Sequence, residues 1–141
     1  MREFKYYLKV NEVRKVSINR ELALSLIKDM EGRMNRAFKL DSSEFPKEIF
    51  ENIYDALRGF CDALLAVDGY KSYSHEASIS YLLAKGFDYA FVDSMDKLRY
   101  KRNGSKYYGK IIERDEAEDI KVFYKNNRQK INRVLKKLEL T

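Results

Sequence analysis

The chain has 141 residues, 28 of them basic and 22 acidic, for a formal net charge of +6; 45% of its residues are hydrophobic and 35% are charged. That size and balance predict one globular domain, residues 1–141, with a heavily ionised surface. The longest unbroken apolar run, Ala63 to Val67, is far short of the roughly 20 residues of a membrane helix, so no membrane partner is predicted, and the single cysteine predicts a reducing, cytoplasmic compartment.

Residues 1 to about 16 carry Phe4, Tyr6, Tyr7, Leu8 and Val10, then Val13, Val16 and Ile18 alternating with charges. This predicts a short helix or an extended arm laid on the domain. From about Asn19 to Phe38, apolar residues at Ala23, Leu26, Ile27, Met30, Met34, Ala37 and Phe38 mark one face of a helix. Ser17 or Asn19 can cap it, and Asp41-Ser42-Ser43 ends it. Pro46 suits the first turn of the next helix, where its missing N–H costs nothing. That helix is predicted to reach Asp68, on the stripe Ile49, Ile53, Ala56, Leu57, Phe60, Ala63, Leu64, Val67, with Gly69 as a left-handed cap. Cys61, the sole cysteine, excludes an internal disulfide and reads as a small buried hydrophobe.

Lys71 to Ser74 read as a link. A shorter helix follows from His75 to Lys85, capped by Ser74 and stopped by Gly86. Another, about Tyr89 to Arg102, has Phe91, Val92, Met95 and Leu98 as its apolar positions, and Asn103-Gly104-Ser105 reads as its end and a turn. Its apolar residues lie on more than one side, which predicts burial against more than one neighbour and a homodimer. The last helix, about Arg114 to Leu138, is acidic in its first turns and basic in its later ones, a polarity that complements the helix dipole. Five helices with short connections, and a short N-terminal arm or helix, predict an all-α, up-and-down antiparallel bundle.

The charge is concentrated. Lys97 to Lys110 holds six basic residues and no acid, while the rest of the chain balances at 22 against 22. Tyr100, Tyr107 and Tyr108 interleave with the cations. Arginine and lysine hold phosphates and a tyrosine ring stacks on a base, so the candidate ligand residues are Lys97, Arg99, Lys101, Arg102, Asn103, Lys106, Tyr107, Tyr108 and Lys110. Asp55 and Asp62, on a second face of the Pro46 helix with the small residues Gly59 and Ala66, are candidates to hold an arginine or lysine of that stretch. With one cysteine and one histidine, a Cys₂His₂ or Cys₄ zinc site is impossible. No G-x-x-x-x-G-K-[ST] loop or G-x-G-x-x-G turn is present, and His75 reads as a surface or capping residue. No metal and no cofactor are predicted.

Tyr54-Asp55-Ala56-Leu57-Arg58, Asp62 to Ala66 and Gly69 to Ala77 resemble the second and third helices of HEPN domains. Lys97 to Asn103 followed by Tyr107-Tyr108-Gly109 resembles that family's signature region, Glu113 to Leu138 its closing helix, and Glu12 to Val16 the lead into its first helix in one prokaryotic branch. The resemblance implies a helical module that is often dimeric. It implies either a metal-independent RNase, whose motif is an arginine followed after four to six residues by a histidine, or a binding module paired with a small nucleotidyltransferase. Arg102-Asn103 matches the start of that motif. No histidine follows Arg99 or Arg102 at the required spacing. The expectation is therefore a non-catalytic module that binds RNA or a nucleotide, or docks a nucleotidyltransferase, through Lys97–Lys110. The alternative is a divergent RNase of a toxin–antitoxin type system, using Arg102 with Tyr107 or Tyr108 and with His75 brought near by the fold.

Overall fold

One helix carries the rest of the molecule. The computed structural model describes residues 1–141, and in it α3 (Pro46–Asp68) packs against every later helix and against the helix before it. Its sequence explains why. Twelve of its residues are buried, on nearly all sides, because small residues (Ala56, Cys61, Ala63, Ala66) alternate with large ones (Phe50, Tyr54, Leu57, Phe60) and let several neighbours approach. Burial pushes the Cys61 thiol pKa far up, as suits a packing residue. Pro46 opens the helix and Gly69, at φ +81°, closes it.

The element order is α1 (Phe4–Lys9), β1 (Val13–Lys15), α2 (Arg20–Lys39), α3, β2 (Tyr70–Ser72), α4 (His75–Ser80) with a 3₁₀ continuation over Tyr81–Lys85, α5 (Tyr89–Tyr108) and α6 (Arg114–Lys137). The fold is an all-α helical bundle with one small two-stranded ribbon. α2 runs antiparallel to α3: the Asn19 N–H donates to the Ala66 carbonyl at one end, and Arg33 meets Asn52 further along. α6 runs antiparallel to α2. Its start is tied to the α2 terminus by Lys121, which donates to Ser42 Oγ (3.1 Å) and the Leu40 carbonyl (3.4 Å). Its end is capped by Arg20, which donates to the carbonyls of Leu138 (3.0 Å) and Glu139. No helix is long and apolar enough to cross a membrane.

The first eighteen residues form both of the structures their pattern allowed. α1 packs Phe4 against Tyr70 and Tyr81. β1 pairs antiparallel with β2, Val13 opposite Ser72 and Lys15 opposite Tyr70. The segment Lys71–Ser74 is thus partly a strand, not only a link. The ribbon is prolonged at both ends, by Val16 N–H to Gly69 O (2.8 Å) and Tyr73 N–H to Glu12 O (2.8 Å). It fixes the direction from which the chain enters α4, and so where His75 stands.

Gly69 is required at this junction. Its φ is left-handed, and a Cβ there would lie 2.9 Å from the Val16 carbonyl oxygen. Gly69→Ala is expected to lower stability by about 1–3 kcal/mol, read by urea denaturation. A loss under a few tenths would show that the ribbon yields freely.

The predicted end of α5 is corrected. Asn103-Gly104-Ser105 does not turn; the helix continues to Tyr108 and stops at Gly109, φ +66°. Gly104 and Ser105 are buried. A Cβ on Gly104 would lie 3.1 Å from Lys110 Cδ, and Lys110 N–H donates back to the Gly104 carbonyl (3.1 Å). The glycine makes room for the chain that folds back over the helix end. Arg102 therefore lies inside the helix rather than at its terminus.

Candidate functional site

The polar side chains of α3, α4 and the second half of α5 converge on Tyr54 and His75. Tyr54 is fully buried on α3. His75 opens α4, where Ser74 Oγ accepts the Ala77 N–H (3.0 Å) and fixes the first turn. The Tyr54 hydroxyl and His75 Nδ1 share a hydrogen bond of 3.1 Å, with the two rings inclined by only 16°.

Arg99, Arg102 and Lys106 repeat at intervals of three and four along α5 and so share one face. Arg102, whose side chain is 8% exposed, lies over the Tyr54 ring at 5.8 Å and donates from Nη2 to Asp55 Oδ1 at 3.3 Å. Arg99 donates from Nε to Asp96 Oδ1 (2.8 Å) and pairs with Glu76 (3.7 Å). Burial works against the Arg99 charge, but the Asp96 bond and the Asp96 and Glu76 charges overcome it and raise its pKa. Arg58 on α3 pairs loosely with Asp62 (3.8 Å), and Asp62 accepts from Ser78 Oγ (2.9 Å). Burial raises the Asp62 pKa against the pull of Arg58 and Ser78.

The pairing is incomplete. Arg58 Nε, Arg102 Nε and Ser105 Oγ are buried without a hydrogen-bond partner, and Ser105 sits one turn beyond Arg102 on the same helix. Buried donors of this kind are costly to leave unmade. The field at His75 is positive: burial, then Arg58, Arg102, Arg99 and Lys106, lower its pKa to about 4. Near neutral pH the imidazole is uncharged. Burial pushes the Tyr54 phenol up, so it stays protonated. The arrangement can accept an anion with several oxygens, offering guanidinium N–H groups and a hydroxyl beside a neutral ring.

Of the nine ligand candidates from the sequence, three belong to this cluster: Arg99, Arg102 and Lys106. Lys97 pairs with Asp93 on the outer side of α5, Lys101 with Glu116 on α6, and Lys110 lies over the Tyr100 ring. Asn103 is half-buried and has no side-chain hydrogen bond. Tyr107 and Tyr108 are exposed, and only Lys106 approaches the Tyr107 ring, at 5.6 Å. Asp55 meets Arg102; Asp62 does not reach the basic stretch. Tyr54 and Arg58 are the cluster residues that sequence reading missed, and His75 entered only through the RNase alternative. Local spacing carries no signal for them, because the cluster joins three helices, with Tyr54 and His75 21 positions apart. The side-chain pattern that suggested a homodimer is largely spent inside the monomer: Phe91, Val92 and Met95 are core residues and Leu98 packs against the core, while Tyr89 at the helix start is strongly exposed.

Compared with known proteins, the chain matches no family model, none of the curated proteins and no solved structure.

Proposed function

We propose that the chain is a HEPN-like, non-catalytic helical module that holds a phosphate-bearing ligand, RNA or a nucleotide, in the cleft between α3, α4 and α5. One observation carries the reading: buried guanidinium donors on Arg58 and Arg102 lack acceptors in the field that keeps His75 neutral. A phosphate supplies acceptors that the protein withholds. The resemblance of Lys97–Asn103 and Tyr107–Gly109 to the HEPN signature supports it independently. A titration of ATP and of labelled single-stranded RNA at low salt tests it. Wild-type protein is expected to bind at least one. Arg102→Lys should weaken that binding about tenfold or more at unchanged charge, because an ammonium cannot copy the planar fork. Failure to bind either probe, or an Arg102→Lys variant that binds as wild type, would sink the reading. The exposed outer face of α5, with Tyr100, Tyr107 and Tyr108, would then be a docking face for a nucleotidyltransferase or a second copy.

The position of His75 favours one second reading, a metal-independent RNase of toxin–antitoxin type. The imidazole would take the 2′-hydroxyl proton while Arg102 stabilises the phosphate. A pKa of about 4 makes His75 a weak base at neutral pH, so binding without cleavage is the expected result. RNA cleavage that disappears in His75→Ala would reverse that order.

A further inference from the structure

Folding redistributes the positive charge. In the stretch where the sequence concentrates it, Lys97, Arg99, Lys101 and Arg102 each meet a carboxylate. Everything in α6 after its acidic first turns is the reverse case. From Lys121 to Lys137 it carries seven cations and no acid, and none of the seven takes part in an ion pair. The helix dipole rewards cations only within the last turn, which accounts for Lys136 and Lys137 but not for Lys130 or Arg133.

Lys130, Arg133 and Lys137 recur at three and four along α6 and share one face. Together with Lys85 and Gly86, at the end of the 3₁₀ turn, they line a groove of about 500 Å³ that contains four cations and no acidic residue. Lys85 is tied to Asp68. Lys130 Nζ donates to the Gly86 carbonyl (2.6 Å) over the Phe87 ring and is held at the groove floor. Arg133 and Lys137 are exposed and unpaired. The groove is apolar only at Ala84, Val134 and Leu138, and none of these is an exposed large side chain. It therefore lacks the wedge that a lipid surface would take up and the aromatic face that unpaired bases would stack on. What remains is a row of cations spanning about 10 Å of helix rise, comparable with about three phosphates along one strand of a duplex.

We propose that this groove is a second site, separate from the His75 cleft, that grips the phosphate backbone of double-stranded nucleic acid without reading its bases. Each phosphate neutralised releases counterions, so binding weakens steeply with salt. The probe is a short labelled RNA duplex, titrated at several salt concentrations against the full chain. Arg133→Glu/Lys137→Glu is expected to lower the slope of log affinity against log salt by about 1.8, two contacts at about 0.9 each. Arg133→Gln/Lys137→Gln, which places no acid at the helix C-terminus, should give the same slope loss with helical circular dichroism unchanged. Lys97→Glu/Lys101→Glu alters the net charge as much as the Glu pair and should leave the slope near wild type. Both groove pairs should bind ATP as the wild type does, which separates failure here from failure of the cleft. Three results would overturn the proposal: no duplex binding at low salt, an equal loss in the Lys97/Lys101 control, or groove variants that lose binding to phosphatidylserine vesicles while wild type ignores the duplex.

Discussion

Asp55→Ala is expected to cost about 2–4 kcal/mol of folding stability and, at the same time, to tighten phosphate binding. The carboxylate of Asp55 stands between two guanidinium groups, Arg102 Nη2 at 3.3 Å and Arg33 Nη1 at 3.9 Å. Removing one partner of a buried ion pair costs about 3–5 kcal/mol, because the survivor is left uncompensated. Arg102 is buried, but Asp55 keeps about a quarter of its side chain in water (27%), which lowers the figure. The variant also leaves Arg102 with no acceptor at Nη2 as well as at Nε. A phosphate in the cleft then becomes the only available partner. At one ligand concentration the variant should therefore gain more stability than the wild type, and a hundredfold excess over its own Kd should restore about 2.7 kcal/mol. Urea denaturation with and without ATP measures both effects. A destabilised variant that no phosphate compound rescues would separate the ion pair from any ligand role.

The fold was legible because the long helices carry their periodicity in full. α3 begins and ends where Pro46 and Gly69 say it must, and α2 and α6 lie within a residue of the spans their stripes mark. Helices of twenty or more residues average many small preferences into one signal. The ribbon strands hold three residues each, too few for alternation to stand out, and are fixed by pairing across more than fifty positions. At Asn103-Gly104-Ser105 the turn chemistry was real, but packing overrode it. Gly104 is small so that Lys110 can cross it, and the true left-handed stop falls five residues later at Gly109.

The site was legible only in part. Arg102 and its acceptor Asp55 follow from a small-residue face on α3 and a basic stretch that had to lie against something. His75 does not. Its place depends on the ribbon turning the chain at Gly69 and on Ser74 starting a new helix, and no local pattern says that this turn ends over Tyr54. The distribution of charge misled for a related reason. A count along the chain cannot see that acids from α3, α4 and α6 neutralise the cations of α5, while the cations of α6 keep their charge.

Tyr54→Ala is expected to cost about 3–5 kcal/mol, the range for deleting a buried aromatic ring. Tyr54→Phe should cost only about 0.5–1.5 kcal/mol, the worth of a typical hydrogen bond. The pair separates two things Tyr54 does: it fills the space between α3, α4 and α5, and its hydroxyl holds His75. His75 is the only histidine, so one imidazole NMR signal reports on it without assignment. Its pKa of about 4 is set first by burial and then by four cations. Tyr54→Phe leaves both in place, so the low value should persist. Tyr54→Ala opens the site to water, and the value should move back toward the ordinary 6.5. The sign for stability follows. Between about pH 6.5 and 4 the unfolded chain binds a proton at His75 that the folded chain refuses, so wild-type stability falls as pH drops through that window. In Tyr54→Ala this dependence should flatten, although the variant is weaker at every pH. A phosphate bound beside His75 should raise the wild-type pKa by offsetting the arginine field. If the imidazole signal titrates near 6.5 in the wild type, or ignores ATP at saturation, the neutral ring in a positive field is not a property of this protein.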